Sequence, residues 1–226
     1  MQLLADQPWW LQQTTALALL GLWLAVLIAL ALLVRRRWRQ QREWSRKLVH
    51  IGSGAVVPLA WALAVDRWIA IAAAATITLA AAFNHRRQLL PAIEDVGRAS
   101  YGTVAYGASI TLLLLVYWPQ RADAVCAGVL VMAIGDGLAG LIGPLLPSHS
   151  WTLFGQRRSL AGTGTMAAAS LLVLGSLAAL REGSPGLSVL VSITTTAVLL
   201  EQIGWGGLDN LSVPLAVAWL WQSLCG

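Results

Sequence analysis

Residues 14–34 run from Thr14 to Val34 without one charged side chain. A helix of ~20 such residues spans the hydrocarbon core of a bilayer. Further apolar segments follow at about 48–65, 67–83, 102–118, 122–143, 160–180, 187–203 and 208–224. The third, seventh and eighth of the series are short, so seven passages stay open beside eight. Backbone groups in lipid have to bond within their own segment, which selects helix. Composition points the same way. The chain is 58% hydrophobic and 11% charged, where a soluble domain carries about 25% charged residues. The expectation is an all-α polytopic membrane protein, a helical bundle of about eight (7–8) transmembrane helices in one domain over 1–226. Cys126 and Cys225 sit in apolar segments and form neither a metal spacing nor a disulfide framework.

Charge sets the orientation. With the N-terminus outside, the inner loops hold Arg35, Arg36, Arg37, Arg39, Arg42, Arg46, Lys47, Arg86, Arg87, Arg98, Arg157 and Arg158. Those are twelve of the 15 Lys and Arg, and only Arg67, Arg121 and Arg181 fall outside. The positive-inside rule therefore predicts N-out. The net charge of +5 reads as topology and not as a nucleic-acid surface. No Lys or Arg precedes Arg35, so the first segment lacks the basic flank of a cleaved signal peptide. Polar residues collect in four inner stretches: a basic loop at 35–47, and loops at 84–101, 144–159 and 201–208. Tryptophans Trp9, Trp10, Trp38, Trp44, Trp118, Trp151, Trp219 and Trp221 read as interfacial belts.

The residue hardest to place in such a chain is Asp136, in the run Ile134-Gly135-Asp136-Gly137 followed by Gly140 and Gly143. An ionised Asp at membrane depth costs on the order of 3 kcal/mol or more, so something must repay it. A bound cation with its phosphate ligand suits the site, because glycines admit a close backbone approach. Asp136 lies seven residues before Gly143, roughly 10 Å below the inner helix end. An Asp paired with an Arg merely to hold helices together is the plainer alternative. After the fifth segment, Gly155 and Gly162 bracket Arg157, Arg158 and Ser159 at the start of a helix, which suits either a phosphate site or a positive-inside anchor. His50 follows Lys47 by three residues and shares its helix face, with Gly52, Gly54 and Pro58 beyond predicting close packing or a kink. Glu94 and Arg98 are spaced for a pair on a short helix. Near the C-terminus Glu201 and Asp209-Asn210 are framed by glycines, and Asp209 suits either a helix cap or a second metal ligand beside Asp136. No Walker motif, zinc pair or nucleophile elbow is present.

These pieces together resemble the CTP-dependent lipid-alcohol kinases, the group of dolichol, phytol and diacylglycerol kinases related to phosphatidate cytidylyltransferases. The matching stretches are Arg46-Lys47-Leu48-Val49-His50, Gly135-Asp136-Gly137-Leu138-Ala139 with Gly143, Gly155 to Gly162, and Asp209-Asn210-Leu211-Ser212-Val213-Pro214. The small size and the segment from Ile93 to Gly102 look most like the phytol kinase branch. The resemblance implies CTP as phosphoryl donor, Mg²⁺ as cofactor, and a prenyl alcohol drawn from the membrane lipid phase. It implies catalytic roles for Asp136, His50, Lys47 and Arg158. Nucleotide contacts are implied for Gly135, Gly137, Gly143, Arg157, Arg158, Ser159, Gly162, Arg46 and Asn210, and metal contacts for Asp136, Asp209 and Glu201. The charge distribution, read by the positive-inside rule, places the active site on the cytoplasmic face of a plasma or thylakoid-type membrane and argues for no nucleic-acid partner, and a homo-oligomer is compatible with it. Two departures stand out: Arg158 stands where the family's loop usually carries a Lys, and Ala161 where it usually carries an acid. The competing chemistry is synthesis of a CDP-lipid. A transporter is disfavoured, since polar residues stop in the inner half of the segments.

Overall fold

The computed structural model describes residues 7–38, 40–87, 101–181 and 183–226. Its helices are α1 (Trp9–Arg37), α2 (Arg42–Gly54), α3 (Val56–Ala62), α4 (Arg67–Arg87), α5 (Gly102–Tyr117), α6 (Ala122–Ile142), α7 (Leu160–Ala179), α8 (Leu187–Ile203) and α9 (Asp209–Cys225). Between α6 and α7 lies a hairpin of β1 (Ser150–Leu153) and β2 (Gln156–Ser159). Pro58 has no N–H to offer the carbonyl of Gly54, and the chain bends at Ala55. Taken as one bent passage, α2 and α3 bring the described passages to eight. The chain is an all-α polytopic membrane protein.

The bundle is built around α6. The apolar window of α6 is 61% buried, against 11% for α1 and for α4, which face outward at the periphery. Helices α2, α3, α5, α7 and α9 all pack against α6. Small residues make this possible. In a membrane, helices associate by close packing rather than by escape from water, and small side chains let backbones approach. At Gly128 the approach of α9 is so close that a Cβ would strike the carbonyl oxygen of Pro214. Within α6, residues Val131–Asp136 form a π-helical turn, a local widening often found at functional sites.

The two ends of the bundle differ. At one end the Gln13 amide donates to the Ala64 carbonyl at 3.2 Å, and Asp123 gathers Arg121, Arg181 and Trp221. Arg181 also donates to the carbonyl of Cys225. Here Trp118 and Trp221, expected at the interface, are 1% and 0% exposed. Their indole N–H groups donate to the Val65 carbonyl at 3.0 Å and to Asp123 at 2.9 Å. A buried indole is stable once its N–H is satisfied, and the interior supplies acceptors in both cases. Trp9, Trp10, Trp38, Trp44 and Trp219 are exposed as expected.

At the other end helices reach into the expected loops. Helix α1 runs on through Arg37 and α2 begins at Arg42, leaving little of the 35–47 loop. Arg, Lys and Glu are good helix formers, which favours continuation of both helices into this stretch. The expected loop at 144–159 instead holds the antiparallel hairpin, with Ser150 opposite Ser159 and Leu153 opposite Gln156. Its turn residues Phe154 and Gly155 both take positive φ, at 48° and 74°. Residues 88–100, with Glu94, Asp95 and Arg98, lie outside the described residues.

Candidate active site

A cavity of about 780 Å³ opens at the end of the bundle that carries the hairpin. Its walls come from α2, the C-terminal half of α6, the hairpin, the first turn of α7 and the segment from Glu201 to Asn210.

At its floor Lys47 and Asp136 meet. The Lys47 ammonium donates to Asp136 Oδ2 at 2.6 Å and to the Asp136 carbonyl at 3.0 Å, with both residues buried. The lysine stem reaches this point across Gly140, where a Cβ would strike Lys47 Cε. His50 follows Lys47 by three residues, and its Nε2 lies 3.3 Å from the Met132 carbonyl and 3.4 Å from Asp136 Oδ2. A carbonyl oxygen only accepts, so Nε2 carries the proton in this contact. The imidazole packs against the Tyr106 ring, tilted by 34° with ring centres 4.6 Å apart, and His50 is not on the cavity wall. Arg46 is on the wall and pairs with Glu43 at 2.8 Å.

The hairpin contributes two arginines with different surroundings. Arg158 forms an ion pair with Glu201 and donates to the Glu201 carbonyl at 2.7 Å, so its guanidinium closes the C-terminal end of α8. Cations suit that end of a helix dipole. The second Glu201 oxygen accepts from Gln202 at 2.8 Å, and Gln202 also donates to Thr163 at 3.1 Å. Glu201, expected as a metal ligand, thus has both oxygens engaged. Arg157 is exposed and donates to Ser150 Oγ at 3.2 Å, its one polar side-chain contact among the described residues.

The first turn of α7, expected to offer its amides to an anion, has them occupied. Leu160 N–H donates to the His149 carbonyl at 3.0 Å, Ala161 N–H to Ser148 Oγ at 3.1 Å, and Gly162 N–H to Ser159 Oγ at 3.1 Å. Ser159 is the N-cap of its own helix. Gly143 and Gly162 both line the cavity, and a Cβ on Gly143 would lie 3.1 Å from Gly162 Cα. Gly135 and Gly137 turn away from it. A Cβ on the first would lie 2.6 Å from Met166 Sδ, and one on the second would strike Ile51.

On α9, Asp209 is half-buried on the wall with no ion pair to a described residue. Gly204 makes room for it, since a Cβ there would lie 2.9 Å from Asp209 Cγ. Next to it Asn210 is buried on the wall, and its Oδ1 has no hydrogen-bond partner among the described residues.

Over 219 residues the chain is 38% identical to the phytol kinase of Synechocystis sp., a span of 94% of this chain and 92% of that protein. This chain belongs to the phytol kinase family. It is a kinase, and so a transferase. A probable phytol kinase 3, chloroplastic, of Glycine max is 29% identical over 205 residues, 77% of this chain and 60% of that protein. No protein-family model matches the chain, and no solved structure does.

For a member of the phytol kinase family the cavity is rich in carboxylates but poor in preformed cages. Among the described residues no three His, Cys, Asp or Glu side chains gather as a cation site. Ala161, standing where an acid was expected, lies on the first turn of α7 and off the cavity wall. Thr103 and Gln202 are wall residues that the sequence did not single out. Nothing in their spacing marked them, because what brings them to the wall is the docking of α5 and α8 onto neighbouring helices.

Proposed function

We propose that this chain phosphorylates phytol or a related membrane prenol, with CTP as donor and Mg²⁺ as cofactor, in the cavity floored by Lys47 and Asp136. The supporting observation is the buried Lys47–Asp136 pair on the same wall as Asp209 and Asn210, of which, among the described residues, the first has no ion pair and the second has an Oδ1 without a hydrogen bond. A hydroxyl oxygen of the alcohol bonds to the terminal phosphorus, the phosphorus–oxygen bond to the nucleoside diphosphate breaks with its electron pair going to the diphosphate, and the hydroxyl proton passes to solvent. Such transfer depends on positioning and charge stabilisation more than on covalent chemistry.

Mg²⁺ is held in kinases by one or two carboxylates together with substrate phosphates. Asp136 and Asp209 fit that pattern and a closed protein cage does not. Bound there, the ion would screen the charge of the nucleotide phosphates. Lys47 and Arg157 supply positive charge beside it, while Arg158 and Glu201 fix the hairpin to α8. Standing behind the wall, His50 is anchored to the Met132 carbonyl through Nε2 and packs 3.4 Å from the Asp136 carboxylate, which positions it. The choice of CTP rests on the family resemblance. The cytoplasmic placement of the site rests on the clustering of Lys and Arg at the cavity end.

The test is phosphoryl transfer by the purified chain in detergent, with γ-labelled CTP, ATP, GTP or UTP, Mg²⁺, and phytol, farnesol, geranylgeraniol, dolichol or diacylglycerol. Labelled prenyl phosphate from CTP, lost in Asp136→Asn, is the expected result. A CDP-lipid with release of pyrophosphate, or no transfer to any alcohol by a folded chain, overturns it.

A further inference from the structure

The cavity has a polar floor and an apolar mouth. Leu145, Leu146, Phe154 and Trp205 line it while remaining between 53% and 68% exposed. None of the four belongs to a helix. They come from the segment after α6, the hairpin turn and the connection between α8 and α9. Exposed apolar side chains are ordinary where a helix faces lipid. They are not ordinary on irregular segments rimming a cluster of Lys, Arg and Asp.

Phe154 is the sharpest case. It sits at the hairpin tip with φ 48°, in the left-handed region where a bulky residue is an outlier. A two-residue turn with both φ positive favours Asn-Gly, and here the sequence is Phe-Gly. The local backbone preference is overridden by an aromatic ring that packs into no core. Next to this rim, Leu160 at the start of α7, Ile203 at the end of α8 and Leu208 before α9 are also exposed. All three sit at helix ends that flank the rim segments in the chain.

We propose that Leu145, Leu146, Phe154 and Trp205 form a membrane-level sill that binds the isoprenoid chain of the alcohol and sets chain-length selectivity, while its hydroxyl reaches Asp136. This rests on the prenol kinase reading of the cavity. The chain is amphiphilic in the right sense: one hydroxyl for the polar floor, and a branched hydrocarbon tail that stays in contact with lipid across the rim. A wholly polar acceptor has no use for such a rim.

The test uses the full chain in lipid nanodiscs. Phe154→Asn suits the left-handed turn and is expected to fold at least as well as the parent. It should raise KM for a C20 prenol about tenfold, the scale of losing one aromatic contact. KM for the nucleotide and for a short C5 prenol should not change. Equal shifts for both alcohols, or no shift for either, overturn the sill. A second arm needs no turnover. Phe154→p-benzoylphenylalanine, irradiated with an alkyne-tagged C20 prenol, should label the chain and be competed by untagged phytol. Competed labelling in a chain that phosphorylates no alcohol keeps the sill and overturns the kinase reading. Phosphorylation of C20 prenol without labelling overturns the sill.

Discussion

Helix α6 carries an aspartate near each end, Asp123 and Asp136, about 20 Å apart along the axis. Asp123 is held by Arg121, Arg181 and the Trp221 indole, partners that tie α6 to the α7–α8 connection and to α9. It does not line the cavity. Asp136 has one short partner, Lys47, with His50 behind, and it faces a cavity large enough for a small-molecule ligand. Both are acids in an apolar helix, so burial alone does not separate them. What separates them is the neighbourhood. One carboxylate is saturated by side chains that serve packing, and the other faces space beside an acid with no ion pair and an amide oxygen with no hydrogen bond among the described residues.

Mutation of the two aspartates should pull that contrast apart. Asp136→Asn is expected to cut turnover by about 10³-fold, the scale of a lost charge-stabilising group. It also strands the Lys47 charge, so stability falls with it. The double variant Lys47→Met with Asp136→Asn should recover thermal stability in detergent and stay inactive. Asp123→Asn should lose on the order of 3 kcal/mol of stability by orphaning its arginines, while turnover per folded molecule is retained. If the two variants behave alike, the distinction between the ends is wrong. Next in size, Asp209→Asn should raise the Mg²⁺ needed for half-maximal rate about 10–100-fold with little change in melting temperature, as for a lost contributor to metal affinity. Smallest is the arginine pair. Arg157→Gln should raise KM for the nucleotide about tenfold without loss of stability, roughly one charge-assisted hydrogen bond. Arg158→Gln should cost about 2 kcal/mol of stability through Glu201. The reverse pattern would exchange the roles of the two arginines.

Much of the frame was legible in the sequence because lipid leaves few choices. Helices were forced wherever apolar length reached a span, and the bend near Pro58 followed from a missing N–H. Asp136 stood out because a charge in that setting is costly. What was hidden depends on contacts between segments far apart in sequence. Trp118 and Trp221 match an interfacial belt until Val65 and Asp123 offer acceptors inside. The first turn of α7 looked open to anions, yet Ser148 and His149 fill it from the preceding segment. Gly135 and Gly137 flank the key acid, and that made them look like a phosphate cradle. On a helix, adjacent residues point about 100° apart, so Gly135 meets Met166 and Gly137 meets Ile51. Gly140, a turn further on, is the one that clears the path of Lys47.

The π turn at Val131–Asp136 lies between those two ends of α6. Such a turn is an α-helix with one residue too many, and each residue advances the helix by about 100°. It therefore acts as a phase shifter. Upstream, the rotation of α6 is indexed to α9 by the Asp123 clamp; downstream, it is indexed to α2 by Lys47. Remove the extra residue and no rigid rotation of α6 satisfies both. The Asp123 half of α6 can therefore repack without dragging Asp136 off its lysine, because the slack between them is stored in a single turn of backbone.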